Sequence, residues 1–311
     1  QIIKIVYKYK HIYVILLYTD KKKKMTISLK EKCDLKEIES LIDEIENGSF
    51  YMQSSDCDDL YNIDNEKGKS AFDKLKQYMD SLSNKGIKKT VYDKTYTGLL
   101  SPNICFGLLN KMIKKRLVKN KYIEFDIINA GPVILNQLSQ RYHIDCPTLK
   151  DYCENRDERL KEIDLYGYNR QPKSFVLDIL LRDYPTLKHP YLIALAEERK
   201  TIESVFIEKY KDIDDTITLL TSDEKKKMKW YSSKNNILYH VMVNYIRKIM
   251  DIINNFMETS YKYDYSIMKY DALYVQKTSE ILNDKDNILH NINKIVKEKL
   301  NIDINFKCII Y

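Results

Sequence analysis

Two aspartates that interrupt apolar, strand-like segments are the residues of this 311-residue chain best suited to chemistry. Asp126 lies within Ile123–Ile128, and Asp271 lies within Ile267–Val275. Because aspartate is depleted in strands and costly to bury unpaired, each needs a partner. On neighbouring strands the carboxylates would converge, and at about 5 Å in an effective dielectric of ~20 they would repel by roughly 3 kcal/mol. A divalent cation between them removes this repulsion, as two-metal phosphoryl transfer requires.

Either aspartate taken alone has a simpler interpretation. A single aspartate in a strand usually lies at an exposed edge or pairs with a lysine, and Lys269 is close to Asp271 in the sequence. If both aspartates are incidental in this sense, the chain is a helical interaction protein without catalysis.

A second pair of residues is suited to the anionic part of a substrate. Arg170 and Lys173 lie three positions apart at the start of a predicted helix, which places them on one face. A basic helix face beside a pair of metal ions can bind a triphosphate. The alternative is a solvated first turn, which has support because cations at a helix start oppose the helix macrodipole.

The elements that must position these residues follow from hydrophobic periodicity. A β-branched and aromatic strand over 122–128 leads through Asn129 to Pro132 into a helix over 133–142. Other helices are predicted near 35–45, 72–82, 106–118, 147–163, 171–182, 188–210, 234–259 and 286–300, and other strands over 88–100, 266–276 and 302–310. This order predicts an α-rich α+β protein whose small antiparallel sheet carries Asp126 and Asp271, flanked by many helices.

Composition excludes several classes of protein. With 44% hydrophobic and 31% charged residues the chain is not wholly disordered, and with only 7 glycines and 6 prolines it is not a turn-dense all-β protein. It has no run of about 18 apolar residues, so no membrane-spanning helix is expected. The net charge of +7 supports an anionic partner only weakly, because a lysine-rich composition also follows from AT-rich codons.

Motifs of several other functions are missing from the sequence. It contains neither a glycine-rich phosphate loop nor a G-x-S-x-G motif, which argues against a P-loop nucleotidase and an α/β-hydrolase. The six cysteines form no C-x-x-C pair and the five histidines are scattered, so neither set predicts a metal site. The cysteine pattern and the poor fit to a signal peptide favour a protein that is not secreted.

The order of these segments resembles the palm-and-fingers core of polymerases. It is most similar to polymerase-like replication proteins of large DNA viruses, phages and mobile elements, which are distantly similar to family A polymerases. Their first motif reads roughly Asp-x-x-Asn-Ala-His-Pro before a helix, and residues 126–132 here read Asp-Ile-Ile-Asn-Ala-Gly-Pro. Their last motif, Asp-Gly within a strand, corresponds to Asp271-Ala272. The resemblance spans about 88–311 and is best over 126–157.

The resemblance implies template-directed nucleotidyl transfer of the DNA polymerase type, with a nucleic-acid template and primer, nucleoside triphosphates and Mg²⁺ or Mn²⁺. Asp126 and Asp271 would hold the metal ions as the catalytic residues, with help from the backbone carbonyl of Ile127. The residues implied to bind the nucleotide are Asn129, Arg170 and Lys173. The sheet would be palm-like, and the protein would act in the cytoplasm, the nucleus or a viral factory.

A basic helix precedes the first motif. The resemblance implies that its charged side contacts the nucleic-acid backbone, which would give salt-sensitive and sequence-tolerant binding. The residues concerned are Lys111, Lys114, Lys115 and Arg116. An ordinary amphipathic surface helix is the alternative.

The sequence departs from the family's motifs at Gly131, where a histidine is expected, and at Ala272, where a glycine is expected. These departures support a second interpretation, a catalytically degenerate replication accessory protein that binds nucleic acid. The predicted organisation is an N-terminal extension over 1–24, a helical N-terminal region over 25–87 and a polymerase-like palm and fingers core over 88–311.

Overall fold

The structure, a computed structural model, describes eight stretches of the chain. They are residues 25–53, 60–61, 63–95, 98–100, 105–165, 171–181, 187–211 and 237–311. The predicted N-terminal extension, residues 1–24, and the predicted phosphate-binding residue Arg170 lie outside the described residues. Within these stretches, every helix is too short or too polar to cross a membrane.

The strands of the described residues form three antiparallel sheets. They are β1 (Met25–Lys32), β2 (Met52–Gln53), β3 (Leu60–Tyr61), β4 (Ile87–Thr95), β5 (Gly98–Leu100), β6 (Tyr122–Ile127), β7 (Ser266–Lys269), β8 (Ala272–Gln276) and β9 (Phe306–Ile310). One sheet has the order β1-β4-β5, and another pairs β2 with β3. The third has the order β7-β8-β6-β9 and is called the central sheet below, because it positions both aspartates.

Helices make up most of the remaining described chain. They are α1 (Leu35–Glu46), α2 (Glu66–Asp80), α3 (Lys111–Val118), α4 (Ala130–Arg141), α5 (Pro147–Glu154), α6 (Arg156–Asp164), α7 (Pro172–Leu181), α8 (Pro190–Lys209), α9 (Ile237–Ser260), α10 (Ser279–Asn283) and α11 (Lys285–Leu300). The 24-residue helix α9 packs against α4, α7, α8, α11 and β8. It therefore joins the helical layer to the central sheet.

The bounds of α1 follow from its local sequence. The side chain of Asp34 accepts a hydrogen bond from a backbone N–H of the first turn, which satisfies one of the free donors at the helix start. Ile38, Leu41 and Ile45 recur at helical spacing and are buried. The chain turns away at Gly48, whose φ of +76° is the left-handed conformation that glycine adopts without strain.

One face of the central sheet is apolar and buried beneath helices. Ile123, Phe125 and Ile127 of β6 point to this face and are at most 2% exposed. They belong to a hydrophobic cluster that also contains Leu273 and Val275 of β8 and buried residues of α4, α9 and α11. Successive residues of a strand point to opposite faces, so the residues between them lie on the other side of the sheet.

The opposite face lies partly in a second hydrophobic cluster. Tyr122, Ile267 and Tyr274 of this face pack with buried residues of α1, α2 and α3. The ring of Phe106 meets that of Tyr274 edge to face, with the centroids 5.9 Å apart. Asp126 lies on this face too, at the end of β6 furthest from Tyr122.

This architecture confirms the predicted α-rich α+β class with a small antiparallel sheet among helices. Four local predictions were wrong. The segment 88–100 contains two antiparallel strands, β4 and β5, and not one. The segment 266–276 is a hairpin of β7 and β8 and not one strand, and 147–163 is two helices, α5 and α6, and not one. The helix predicted over 106–118 is a 3₁₀ turn at Phe106–Leu108 followed by α3.

The N-terminal region contains a strand that the sequence does not predict. The inward-facing Glu31 is fully buried and interrupts the alternation of Ile27 and Leu29, so β1 lacks an apolar strand pattern. β1 pairs with β4, which begins at Ile87, so one sheet contains chain from both sides of the predicted boundary at 87. The domain division itself stays a prediction.

Candidate functional site

The fold brings Asp126 and Asp271 together at one end of the central sheet. Asp126 pairs with Ala272 in the β6–β8 ladder, and Asp271 is the residue just before Ala272. The N–H of Ile127 donates a hydrogen bond of 3.1 Å to the backbone carbonyl of Asp271. Asp271 is not within a strand as the sequence predicts. It lies in the two-residue turn Tyr270–Asp271 that joins β7 to β8.

A row of four directly paired residues crosses the sheet at this end. In the ladders, Lys269 faces Ala272, Ala272 faces Asp126, and Asp126 faces Lys307. Directly opposed residues of neighbouring strands have their side chains on one face. Lys307 Nζ lies 2.9 Å from Asp126 Oδ2, so the ion pair of Asp126 is with Lys307 of β9. Lys307 is not predictable from the sequence as a site residue, because nothing local indicates that β9 lies beside β6.

This end of the sheet forms the floor of an open cavity of about 680 Å³. Both aspartates line it, together with the N-terminal ends of α4 and α7. An apolar wall is formed by Leu177, Met242 and Ile246. The basic residues that line it are Arg156, Lys173, Lys269 and Lys307. The cavity thus combines carboxylates, cations and an apolar wall, which is the combination expected of a site for a charged organic ligand.

The pKa of Asp271 reflects this surrounding charge. Burial raises it above the ordinary value of an aspartate, and the neighbouring Asp126 raises it further. Lys269 and Lys173 act in the opposite direction and lower it. A carboxyl group whose ionisation is opposed by a neighbouring carboxylate is stabilised in its charged form by a cation placed between the two.

Lys173 occupies the first turn of α7 and is the predicted phosphate ligand that the structure places in the cavity. Loss of solvent around its amine lowers its pKa, and the positive charge of Arg156 lowers it further. The carboxylates of Asp271 and Asp126 raise it. Lys173 is therefore within electrostatic reach of both aspartates and of Arg156, which sequence spacing does not reveal.

Asn129 lies between β6 and α4 in an unusual conformation. Its φ is 53°, in the left-handed region, which asparagine tolerates better than most residues. Its side chain does not cap α4, and among the described residues its Nδ2 has no hydrogen-bond partner. Asn129 lines the cavity, so its amide is available there to a ligand.

The glycine at position 131 is explained by its neighbour Met242. A Cβ placed on Gly131 would collide with the Sδ of Met242, and Leu177 Cδ2 would be 3.8 Å away. The histidine expected from the resemblance therefore has no room while Met242 keeps this position. Met242, itself buried, fills the part of the cavity wall that a larger side chain at 131 would form.

The four residues predicted to bind nucleic acid have different surroundings. Lys111 and Lys115 of α3 are exposed. Arg116 donates to Glu37 and, at 3.1 Å, to Glu44, so it links α3 to α1.

The fourth of these residues, Lys114, is only partly exposed. Its Nζ donates a 3.1 Å hydrogen bond to the carbonyl of Gly107. Burial and then the charge of Lys269 lower the pKa of Lys114 to about 8. A role for all four residues in binding nucleic acid stays a prediction.

The donor set at the aspartates is suited to Mg²⁺ or Mn²⁺. In the described part of the chain, no group of three or more His, Cys, Asp or Glu residues converges as a complete metal site. Mg²⁺ is commonly held by one or two carboxylates together with waters and substrate phosphates. Asp126 and Asp271 supply two such carboxylates, and the basic residues of the cavity supply positive charge beside them.

Comparison with known proteins finds structural likeness only, and the likeness described here is weak. No protein-family model and no curated protein matches the sequence. Solved structures do match, among them the POL domain of Pol1 from M. smegmatis in complex with DNA primer-template and dNTP. The two chains are 9% identical with a TM-score of 0.47, and the match covers 90% of this chain and 66% of that one. At this level the likeness does not assign a role to any residue.

Proposed function

We propose that this protein binds a nucleoside triphosphate with a divalent metal ion and transfers its nucleotidyl group, directed by a template, to a nucleic-acid primer. The observation that carries the proposal is the convergence of Asp126 and Asp271 on the floor of a cavity with a cationic wall. A pair of carboxylates beside several cations suits the transfer of a phosphoryl group, in which catalysis is mostly positioning and charge stabilisation.

The two aspartates would hold Mg²⁺ or Mn²⁺ with help from the backbone carbonyl of Ile127, a residue that also lines the cavity. When bound, the metal supplies Lewis-acid stabilisation of the phosphoryl oxygens and activation of the primer hydroxyl. The side chains themselves need no proton-transfer role. Their task is to hold acceptor oxygens at a fixed place, which the β6–β8 ladder does.

The cationic residues would bind the triphosphate. Lys173 and Arg156 lie on the same cavity as the aspartates, and the N–H groups at the start of α7 add a favourable dipole for an anion. Asn129 would hydrogen-bond to the sugar or to a phosphate oxygen. Arg170 keeps its predicted role as a phosphate ligand.

The test is primer extension with Mg²⁺ or Mn²⁺ on a labelled template and primer. Asp126→Asn and Asp271→Asn keep the shape of each side chain and remove its charge. Each should lower the incorporation rate by about 100-fold or more, the scale on which charge-stabilising groups act.

A matched control is Asp73→Asn, which changes an exposed aspartate of α2. It should keep the rate of the unaltered protein. Equal incorporation by the unaltered protein and all three variants would contradict the assignment of the site.

The second candidate function is nucleic-acid binding without catalysis, as a replication accessory protein. Its support is the ion pair of Lys307 with Asp126 and the closure of the space beside Gly131 by Met242. It predicts salt-dependent affinity for DNA that survives Asp126→Ala, together with no incorporation by any form of the protein.

A further inference from the structure

Lys307 is a basic residue of the cavity to which the proposed function assigns no role. It is the second residue of β9, and its ammonium lies 2.9 Å from Asp126 Oδ2. Asp126 is the carboxylate proposed to hold the metal ion. An ammonium and a metal ion on one carboxylate repel each other, so the two compete for Asp126.

The register of the central sheet holds Lys307 at the cavity. Its neighbours Phe306 and Cys308 pack against the hydrophobic cluster on the opposite face. A shift of β9 by one residue would move Lys307 into that cluster and Phe306 into the cavity, which is strongly unfavourable. The backbone of Lys307 is thus fixed beside Asp126, and only the side chain can move.

The side chain of Lys307 has room to move. It is 51% exposed, whereas that of Asp126 is 18% exposed. Among the described residues, the ion-pair partner of its ammonium is Asp126. If it leaves Asp126, its ammonium remains within the cavity that Arg156 and Lys173 also line.

We propose that Lys307 exchanges partners, pairing with Asp126 in the free protein and with a phosphate of the nucleotide once a metal ion binds Asp126. This inference rests on the proposed function, because it takes Asp126 as a metal ligand and the cavity as the triphosphate site. In the free protein Lys307 offsets the repulsion between Asp126 and Asp271. In the complex, the ammonium of Lys307 adds a positive charge beside the phosphates, and no further residue has to move into the cavity.

The exchange predicts that one variant binds the metal ion more tightly and the nucleoside triphosphate more weakly. Lys307→Met keeps the apolar stem and removes the charge. Mn²⁺ alone should bind about fivefold more tightly to this variant, because its competitor is gone and such half-exposed pairs are worth up to ~1 kcal/mol. A non-hydrolysable nucleoside triphosphate, with Mn²⁺ present at saturation, should bind about tenfold more weakly, because one charge-assisted hydrogen bond is lost.

The measurements are the free Mn²⁺ signal in electron paramagnetic resonance and calorimetric titration of the triphosphate analogue. Lys307→Arg keeps the charge and should restore triphosphate affinity to within a few fold of the unaltered protein. Lys299→Met changes an exposed lysine of α11 and should alter neither affinity.

The outcomes separate this inference from the proposed function. Tighter Mn²⁺ binding and weaker triphosphate binding in Lys307→Met support the exchange, even if primer extension fails. Primer extension that depends on Asp126, together with unchanged affinities in Lys307→Met, overturns the exchange and leaves the function standing. Loss of Mn²⁺ binding in Lys307→Met, or no Mn²⁺ binding by either form, also overturns it.

Discussion

The two faces of the central sheet differ sharply although they share the same strands. On one face, Ile123, Phe125 and Ile127 are almost fully buried and pack into the helical layer. On the other, Tyr122 packs into the second hydrophobic cluster, and Asp126 at the far end of β6 faces the cavity and pairs with Lys307. The face that carries Asp126 is therefore apolar at one end and charged at the other. The apolar face fixes where the strand lies, and the polar face can then hold charges that do not stabilise the fold.

The largest expected effect is on the apolar face. Phe125→Ala removes a fully buried ring and should lower the free energy of unfolding by about 3–5 kcal/mol. The matched change on the other face, Asp126→Asn, loses the ion pair with Lys307 but relieves repulsion from Asp271. Its effect should be below about 1 kcal/mol.

Urea unfolding followed by circular dichroism measures both changes. An equal loss of unfolding free energy in Asp126→Asn and Phe125→Ala would contradict the difference between the two faces. That result would mean that the charged row also carries the packing of the sheet.

A buried histidine makes the helical layer sensitive to acid. His240 of α9 is 5% exposed, and burial lowers its pKa to about 4 from an ordinary 6.5. The unfolded chain takes up a proton below pH 6.5, but the folded protein does not until near pH 4. Unfolding free energy should therefore fall as the pH drops through this interval, by roughly 3 kcal/mol at ~1.36 kcal/mol per pKa unit.

Unfolding measured at several pH values between 7 and 4 tests this dependence. His240→Leu removes the titrating group and should flatten the curve. If the variant loses stability with acid as steeply as the unaltered protein, another group is responsible.

The polar face should respond to pH with the opposite sign. The pKa of Asp271 is raised, by burial and then by Asp126, so the folded protein keeps its proton at a pH where the unfolded chain has lost it. Its contribution to stability is present below the ordinary value of 3.8 and is lost as the pH rises through the raised value.

Asp271→Asn should accordingly be more stable than the unaltered protein at pH 7 and should lose activity. Thermal unfolding of the two forms at pH 7 and pH 3 measures the difference, which should shrink at the lower pH. A variant that is less stable at pH 7 would contradict the balance of charges described for this site.

The smallest expected effect concerns the exposed charges of α3. The pair of Arg116 with Glu37 and Glu44 is partly exposed, so Arg116→Ala should lower unfolding free energy by only about 0.2–1 kcal/mol. Because Arg116 is already paired, its removal should leave the salt dependence of DNA binding unchanged.

Removal of Lys111 and Lys115 together is the comparison. Each exposed lysine that contacts a phosphate contributes about one unit to the slope of log affinity against log salt concentration. Fluorescence anisotropy at several salt concentrations measures this slope. A larger change for Arg116→Ala than for the lysine pair would show that the ion pairs with α1 open on binding.

Local sequence predicts only part of this site. The run around Asp126 and the Asn129–Pro132 turn into a helix follow from strand and helix signals that lie within a few residues. The turn at Tyr270–Asp271 has no glycine or asparagine, and neither residue has a positive φ, so it carries none of the usual hairpin signals. The sequence predicts one strand there for this reason.

The partners that complete the site come from far along the chain. Lys307 faces Asp126 only because β9 pairs with β6, and Arg156 meets Lys173 only because α6 and α7 pack together. Such pairings depend on tertiary packing, which the local hydrophobic periodicity of the sequence does not encode. The convergence of Asp126 with Asp271 was predicted as a requirement of metal chemistry, but the strand pairings that place Lys269 and Lys307 beside them were not.

The hydrogen bond from the N–H of Ile127 to the carbonyl of Asp271 has a consequence for how this region can vary. Main-chain atoms, and not side chains, set the spacing between the two acidic positions. Side chains of the hairpin can therefore be exchanged at little cost to that spacing. A single inserted or deleted residue between β7 and β8 would instead break the link and carry Asp271 away from its counterpart, so the length of this hairpin is the property that the molecule has to keep.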